Sequence, residues 1–288
     1  MHTQDGHSVK QLCQTLEVSC SGFYAHQHKA AGARRKADAR LSQQIGLLFV
    51  QSRFTYGCRR IQRLLRQEGF HCAKTRICRL MKAQGLRARQ KRRFRIQTTN
   101  SNHQLAVAPN RLAQLPQPPS QPNEVWAADI TYLPTRQQGW LYLAVEMDLC
   151  SRRIVGWKLD SSLAAPLVVD AFQRALKGWA VAPRVHHSDR GIQYATASFR
   201  QLLQAHQVQP SMSRKANCYD NAAIESFFAT LKTECFQHGI PKDRLEAQAM
   251  LFDYIETFYN PKRLHSALGY LSPLQFEKSF IDQPFNTN

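Results

Sequence analysis

The sequence is short of acidic residues, and the shortage is greatest near its N-terminus. Its 288 residues include 39 Lys and Arg but only 20 Asp and Glu, which gives a formal net charge of +19. Residues 1–96 contain 21 basic and 4 acidic residues, whereas residues 97–288 contain 18 and 16. So large an excess of positive charge in one segment predicts binding to a polyanion such as nucleic acid, mainly before residue 97.

Four other patterns are missing from the sequence. The eight cysteines include no C-x-x-C pair, so we do not expect a zinc site. The sequence has neither a signal peptide nor an apolar run long enough to cross a bilayer, which favours a cytoplasmic protein with reduced thiols and no membrane contact. No heptad repeat is sustained, so the sequence predicts no coiled coil of its own.

The basic segment has the apolar spacing of short helices. Residues 1–36 predict two helices around a Ser-rich turn, which either cap the next domain or contact DNA. Residues 37–96 predict a helix-turn-helix domain in which Gly69 and Gly85 end helices and residues 75–84 form the recognition helix. We expect basic side chains of this domain to contact DNA, namely Lys74, Arg76, Arg79, Lys82, Arg59, Arg60, Arg92 and Arg93.

The sequence changes character after a proline-rich linker. Residues 97–123 contain five prolines and few apolar clusters, which is typical of an extended linker. Residues 124–288 predict three strands in an antiparallel meander, followed by a helix, a strand, a helix, a strand and a helix. This order is typical of an α/β domain with a mixed five-stranded sheet and flanking helices.

Three acids of this second domain lie where carboxylates are informative. Asp129 is inside an otherwise apolar strand, where an unpaired carboxylate is unfavourable unless it binds a cation. Asp189 ends a short strand, at the edge of the sheet where α/β folds bind ligands. Glu225 shares the polar face of one predicted helix with Asn221 and Lys232. Three carboxylates from three elements predict a site for two divalent ions, the arrangement that serves phosphoryl transfer.

Several other polar residues have two interpretations. Asn221 either caps its helix or contacts DNA from the same face as Glu225. His187 and His265 are either structural hydrogen-bonding residues or contacts to DNA or metal. The C-terminal segment is expected to pack against the core, with Lys262 and Arg263 as candidate DNA contacts.

Five motifs of the sequence resemble those of a known family. In order they are WAADITYLP, GWLYLAVEMDLCSRRIVGWKL, HSDRGIQY, NCYDNAAIESFFATLKTE and YNPKRLHSALGYLSPLQFE. They resemble the orfB-type transposases of the third insertion-sequence family, to which the helix-turn-helix region is also similar. The resemblance implies a ribonuclease H-like core of the retroviral integrase type. It carries an acidic catalytic triad onto Asp129, Asp189 and Glu225, and it associates Lys232 with DNA near the reacting phosphate.

The resemblance also implies a function. We expect an insertion-sequence transposase of the DDE type that cleaves double-stranded DNA at the element's terminal inverted repeats and transfers the strands to target DNA, using two Mg²⁺ ions for which Mn²⁺ substitutes. We further expect a bacterial, nucleoid-associated protein that forms a homo-oligomer on DNA and acts with, or fused to, an upstream orfA-type protein. One alternative is a non-catalytic regulator of transposition, but all three acids are intact. The other is a purely hydrolytic nuclease of the ribonuclease H type, which would need no long basic arm.

Overall fold

The structure is a computed structural model that describes residues 8–27, 32–88, 105–178, 181–214, 221–236 and 239–281. The chain divides into two compact units, Met1–Ala88 and Arg89–Asn288. Within the described ranges, no helix combines the length and the apolar character needed to cross a bilayer.

The first unit is helical throughout its described part. Its helices are α1 (Val9–Thr15), α2 (Cys20–Gln27), α3 (Ala33–Gln51), α4 (Cys58–Gln67) and α5 (Lys74–Ala83). The first of them starts at a capping box, in which the side chain of Ser8 accepts from the backbone N–H of Gln11 and the side chain of Gln11 accepts from the backbone of Ser8. The two short helices predicted before residue 37 are therefore present.

Helices α3 to α5 form a small core of their own. Ile45, Ile61, Leu65 and Ile77 are fully buried between them. Helix α4 ends just before Gly69, which has φ +83°, and such a left-handed backbone is accessible to glycine without the strain that a Cβ brings. The turn that follows leads into α5, so the predicted helix-turn-helix is confirmed, with its second helix starting one residue earlier than the sequence indicates.

The second unit is built on a mixed sheet. Its described part contains five strands in the order β3-β2-β1-β4-β5. The pairs β1–β2 and β2–β3 are antiparallel, whereas β1–β4 and β4–β5 are parallel. The predicted meander and mixed sheet are thus confirmed, with strands β1 (Val125–Pro134), β2 (Trp140–Asp148), β3 (Ile154–Asp160), β4 (Val185–Ser188) and β5 (Gln209–Met212).

Helices cover both faces of this sheet. Side chains of β1 such as Trp126 and Ala128 pack with apolar residues of α6 and α8 on one face. Helix α9 contacts β1, and α10 contacts β3. A short π-helix, Ile255–Tyr259, joins α10 to α11. The helices of this unit are α6 (Pro166–Gly178), α7 (Ile192–Ala195), α8 (Ala197–Ala205), α9 (Ala222–Glu234), α10 (Arg244–Tyr254), α11 (Asn260–Lys262) and α12 (Pro273–Ile281).

The later part of the predicted linker belongs to the second unit and is bonded to its sheet. The backbone N–H of Arg111 donates to Ser211 Oγ on β5 over 2.9 Å. The same hydroxyl lies 2.8 Å from Nδ1 of His187, which is fully buried on β4. His187 is therefore a structural residue that helps to attach this segment to the sheet.

Helix α6 approaches β3 most closely at Gly156. A Cβ at this position would lie 2.5 Å from the carbonyl oxygen of Ala171 and 2.7 Å from the Cβ of Ala175. Because backbone atoms of α6 cannot move away cheaply, Gly156→Ala should destabilise the second unit by about 1–3 kcal/mol. Urea unfolding of the variant measures this loss. The matched control is Gly178→Ala, where the added Cβ would have no neighbour within 4 Å, and equal stability of the two variants would contradict the prediction.

Candidate active site

Asp129 and Asp189 lie side by side at the edge of the sheet. The residues before them, Ala128 and Ser188, are paired across the parallel strands β1 and β4. Asp129 and Asp189, the next residues along these two segments, are therefore neighbours, and the spacing of paired strands puts their backbones about 5 Å apart. Asp129 Oδ1 accepts from the backbone N–H of Ile130, and Asp189 Oδ1 accepts from the N–H of Gly191. The sheet thus fixes both carboxylates.

The electrostatics of Asp129 show which groups face it. Burial raises the pKa of Asp129 well above its usual range, and the neighbouring Asp189 carboxylate and the more weakly coupled Glu225 raise it further. The backbone N–H of Ile130 and the ammonium group of Lys232 act in the opposite direction. Acids from β1, the end of β4 and α9 therefore meet in one region, with a lysine beside them.

Helix α9 brings the third acid to this region. Ile224 and Leu231 are completely buried, which anchors one side of the helix, while Glu225 is exposed on a neighbouring side. Partial burial raises the pKa of Glu225. Burial lowers the pKa of Lys232, and the attraction of Asp129 partly offsets this. Glu225 and Lys232 of the predicted polar face thus both lie near enough to Asp129 to act on it electrostatically.

Asn221 precedes α9 but does not cap it through its side chain. Its Oδ1 atom is buried and has no hydrogen-bond partner among the described residues. The capping interpretation is therefore wrong for the side chain, and a contact to DNA stays a prediction.

The three acids suit a hard divalent cation in their chemistry, because magnesium prefers carboxylate oxygens. In the described ranges, however, no three His, Cys, Asp or Glu side chains lie close enough together to hold a metal ion. Backbone N–H groups hold the two aspartates, so we expect Glu225 to be the acid that moves if a cation binds. Its exposed position on α9 leaves its side chain free to change rotamer.

Comparison with known proteins identifies the family. Models of the integrase core domain match residues 119–218 and 225–280, and a model of an HTH-like domain matches residues 36–94. Transposase InsF for insertion sequence IS3A of Escherichia coli K12 is 39% identical over 277 residues, which cover 94% of each chain. This chain belongs to the IS3 family of insertion-sequence transposases.

Two further proteins are similar to this chain. A 31 kDa protein of insertion element IS600 from Shigella sonnei is 43% identical over 270 residues, 93% of the transposase and 98% of that protein. A simian T-cell lymphotropic virus intasome, solved in complex with a PP2A regulatory subunit, gives a TM-score of 0.48 at 15% identity, covering 79% of this chain and 72% of its own. As a member of its family, the transposase is an enzyme that binds DNA, cleaves it and transfers strands.

Six of the basic residues predicted to contact DNA lie on α4 and α5 of the first unit. Helix α5 exposes three of them, Lys74, Arg79 and Lys82, whereas Arg76 is partly buried. Arg59 is exposed on α4, and the guanidinium of Arg60 lies over the ring of Tyr56, 5.2 Å from its centroid. Arg92 and Arg93 lie outside the described residues. Contact of these side chains with DNA stays a prediction.

The expectation that Arg263 contacts DNA is wrong. Its side chain is 6% exposed and binds both carboxylate oxygens of Glu234, with both N–O distances 2.8 Å. Its charge is therefore used inside the domain. His265 is likewise structural, since its ring packs edge-on against Tyr259 and its backbone N–H donates to Leu271.

A buried polar pair on the strands next to β1 was missed by the sequence analysis. Glu146 on β2 lies 3.0 Å from Nε2 of His186 on β4, and both side chains are fully buried. Tyr194 packs beside this pair, and its hydroxyl has no hydrogen-bond partner among the described residues. The argument that singled out Asp129, an acid inside an apolar strand, applies equally to Glu146 and is the signal that would have found it.

Proposed function

We propose that the transposase cleaves and joins DNA with a catalytic triad of Asp129, Asp189 and Glu225, which holds two Mg²⁺ ions or, in their place, Mn²⁺. The observation that carries the proposal is the position of Asp129 beside the end of β4, where Asp189 follows, with Glu225 of α9 near enough to act electrostatically on Asp129. Such mutual repulsion is relieved when cations bind. The ions would supply activation of a water molecule and stabilisation of the leaving oxygen.

The protein's side chains would hold the metal ions and the reacting phosphate in place. Asp129 and Asp189 are held by the sheet and by backbone N–H groups, so their place does not depend on substrate. Glu225 completes the triad from α9 after a change of side-chain rotamer. Lys232, two helical turns further on the same face, places a positive charge where the scissile phosphate would be held.

The substrate is the DNA of the element itself. The first unit binds the terminal inverted repeats through its helix-turn-helix and its excess of positive charge. Attack of water on phosphorus breaks the P–O3′ bond and frees a 3′ hydroxyl. That hydroxyl attacks a second phosphodiester, forming one P–O bond and breaking another, without a covalent protein intermediate. By family resemblance, the first joining connects the element's own ends into a circle, before insertion into target DNA.

The family resemblance also implies an oligomeric state and a protein partner. The transposase acts as a homo-oligomer on DNA at the bacterial nucleoid, with an orfA-type protein encoded upstream as its partner or N-terminal fusion. Analytical ultracentrifugation on end DNA, with and without that partner, measures how many copies of the transposase bind and whether the partner joins them.

The proposal is tested with labelled element-end DNA and Mg²⁺. We expect Asp189→Asn to lower cleavage and joining by about 1,000-fold or more, because removal of one member of a catalytic group disables the whole. Binding to end DNA should stay within about twofold of wild type, since no DNA contact of the first unit is changed. The matched control is Asp170→Asn, an acid on α6 whose partner is Lys158.

Each outcome of this experiment has a distinct meaning. Cleavage and joining by Asp189→Asn at the wild-type rate would exclude the triad. Cleavage without joining by wild type would favour the hydrolytic nuclease, and binding without either would favour the regulator. Failure of wild type and variant to bind end DNA would exclude the role given to the first unit.

A further inference from the structure

Asp38 on α3 binds two arginines of the predicted recognition helix. Its Oδ1 atom accepts from Nε of Arg76 at 2.7 Å and lies 2.7 Å from Nη2 of the same side chain. Its Oδ2 atom accepts from Nη2 of Arg79 at 2.6 Å. One carboxylate therefore joins two guanidinium groups that lie three residues apart on the same face of α5.

The arginines keep different amounts of free surface in this arrangement. Arg76 offers the edge of its guanidinium to Asp38 and is 34% exposed, whereas Arg79 uses one Nη atom and is 54% exposed. The hydrogen bonds from Arg79 and Arg76 lower the pKa of Asp38, so the carboxylate stays charged at neutral pH. Both side chains are thus held at one edge while other N–H donors remain at the surface.

An acid at this place works against simple electrostatic attraction. Asp38 is one of 4 acids in the first 96 residues and lies within the strongly basic run ARRKADAR. A carboxylate there reduces the positive potential that attracts any phosphate backbone. Holding an arginine in place favours base recognition, however. A guanidinium held in one orientation presents a defined pair of donors to the edge of a guanine.

We propose that Asp38 is a specificity-determining residue, which holds Arg76 and Arg79 in position to read base edges of the element ends instead of contacting phosphates of any sequence. The proposal rests on the proposed binding of element ends by the first unit. Its rival is a simple counter-charge, in which Asp38 competes with DNA phosphates for the arginines and lowers the affinity for every sequence by the same factor.

The test compares full-length Asp38→Asn with wild type on two duplexes, the element end and a scrambled duplex of the same composition, over a series of salt concentrations. Release of two arginines should let them contact phosphates, so we expect the variant to bind the scrambled duplex more tightly and with a salt slope steeper by about 1–2. The ratio of the two affinities should fall by about tenfold, the worth of one lost bidentate base contact.

The matched control is Glu68→Gln, which removes the same charge from the first unit. Glu68 accepts from Gln44 at 2.6 Å, so its loss frees no arginine of α5, and we expect the affinity ratio to stay at the wild-type value. A second variant, Arg79→Lys, keeps the charge but loses the planar guanidinium. It should lower the ratio without steepening the salt slope, and it decides the question if thermal unfolding shows that Asp38→Asn does not fold.

The outcomes separate this proposal from the one on which it rests. A wild-type preference for the element end that Asp38→Asn and Arg79→Lys leave intact would overturn the role of Asp38 alone. An equal gain of affinity for both duplexes would establish the counter-charge instead. No wild-type preference for the element end would overturn the proposed function of the first unit, and the specificity role with it.

Discussion

Asp129→Asn is expected to abolish DNA cleavage and joining and to make the second unit more stable in the absence of metal. Burial makes the charge of this carboxylate unfavourable, and the neighbouring Asp189 and, more weakly, Glu225 add to the effect. An asparagine of the same shape removes that charge but still offers an oxygen to the N–H of Ile130. Removing an unfavourable charge from an active site typically raises the free energy of unfolding by roughly 0.5–2 kcal/mol.

With magnesium bound, wild type should become more stable than Asp129→Asn. Binding to the folded protein stabilises it in proportion to the logarithm of the metal concentration, so the unfolding temperature of wild type should rise with Mg²⁺. Asp129→Asn lacks a ligand and should show little rise. Thermal unfolding with 0 and 10 mM Mg²⁺, roughly the range over which weak sites fill, measures both effects. A variant less stable than wild type without metal would show that the carboxylate is satisfied by its surroundings, and it would remove the physical basis for placing a cation there.

Local sequence patterns were sufficient for the strand and the helix that carry Asp129 and Glu225 of the proposed triad. The apolar run around Asp129 predicted a central strand, and the period of α9 predicted a polar face that includes Glu225 and Lys232. Both signals depend on residues close together in the sequence, where the geometry of a strand or a helix fixes which side chains share a face. The family resemblance then connected elements that local patterns leave separate.

Pairings between distant residues could not be predicted in this way. Asp38 contacts residues 38 and 41 positions later, and Glu146 contacts a histidine 40 positions later. Whether a basic residue faces solvent or a buried acid depends on which helix covers it in the folded domain. Arg263 shows the consequence, because its sequence context is that of a surface cation while its position is that of a core residue.

The ion pair of Arg263 and Glu234 gives the second large effect. Glu234 is the last residue of α9, and Tyr254 on α10 donates to the same carboxylate over 2.8 Å. Arg263→Met should destabilise the second unit by about 3–5 kcal/mol, because it leaves a buried carboxylate without its counter-charge. Urea unfolding measures this loss. Strand transfer should also fall, because α9 carries Glu225 and Lys232 and its C-terminal end would lose its connection to the segment after α11.

A double variant, Glu234→Leu with Arg263→Met, separates charge from packing. Removing both charges leaves no buried ion uncompensated, and such replacements by apolar residues are often neutral or stabilising. We therefore expect the double variant to recover at least about half of the stability that Arg263→Met loses. If it is as unstable as the single variant, the contribution of Arg263 comes from its other contacts, among them the ring of Tyr259, whose centroid is 5.8 Å from its guanidinium carbon. The unpaired charge of Glu234 would then not be the cause of the loss.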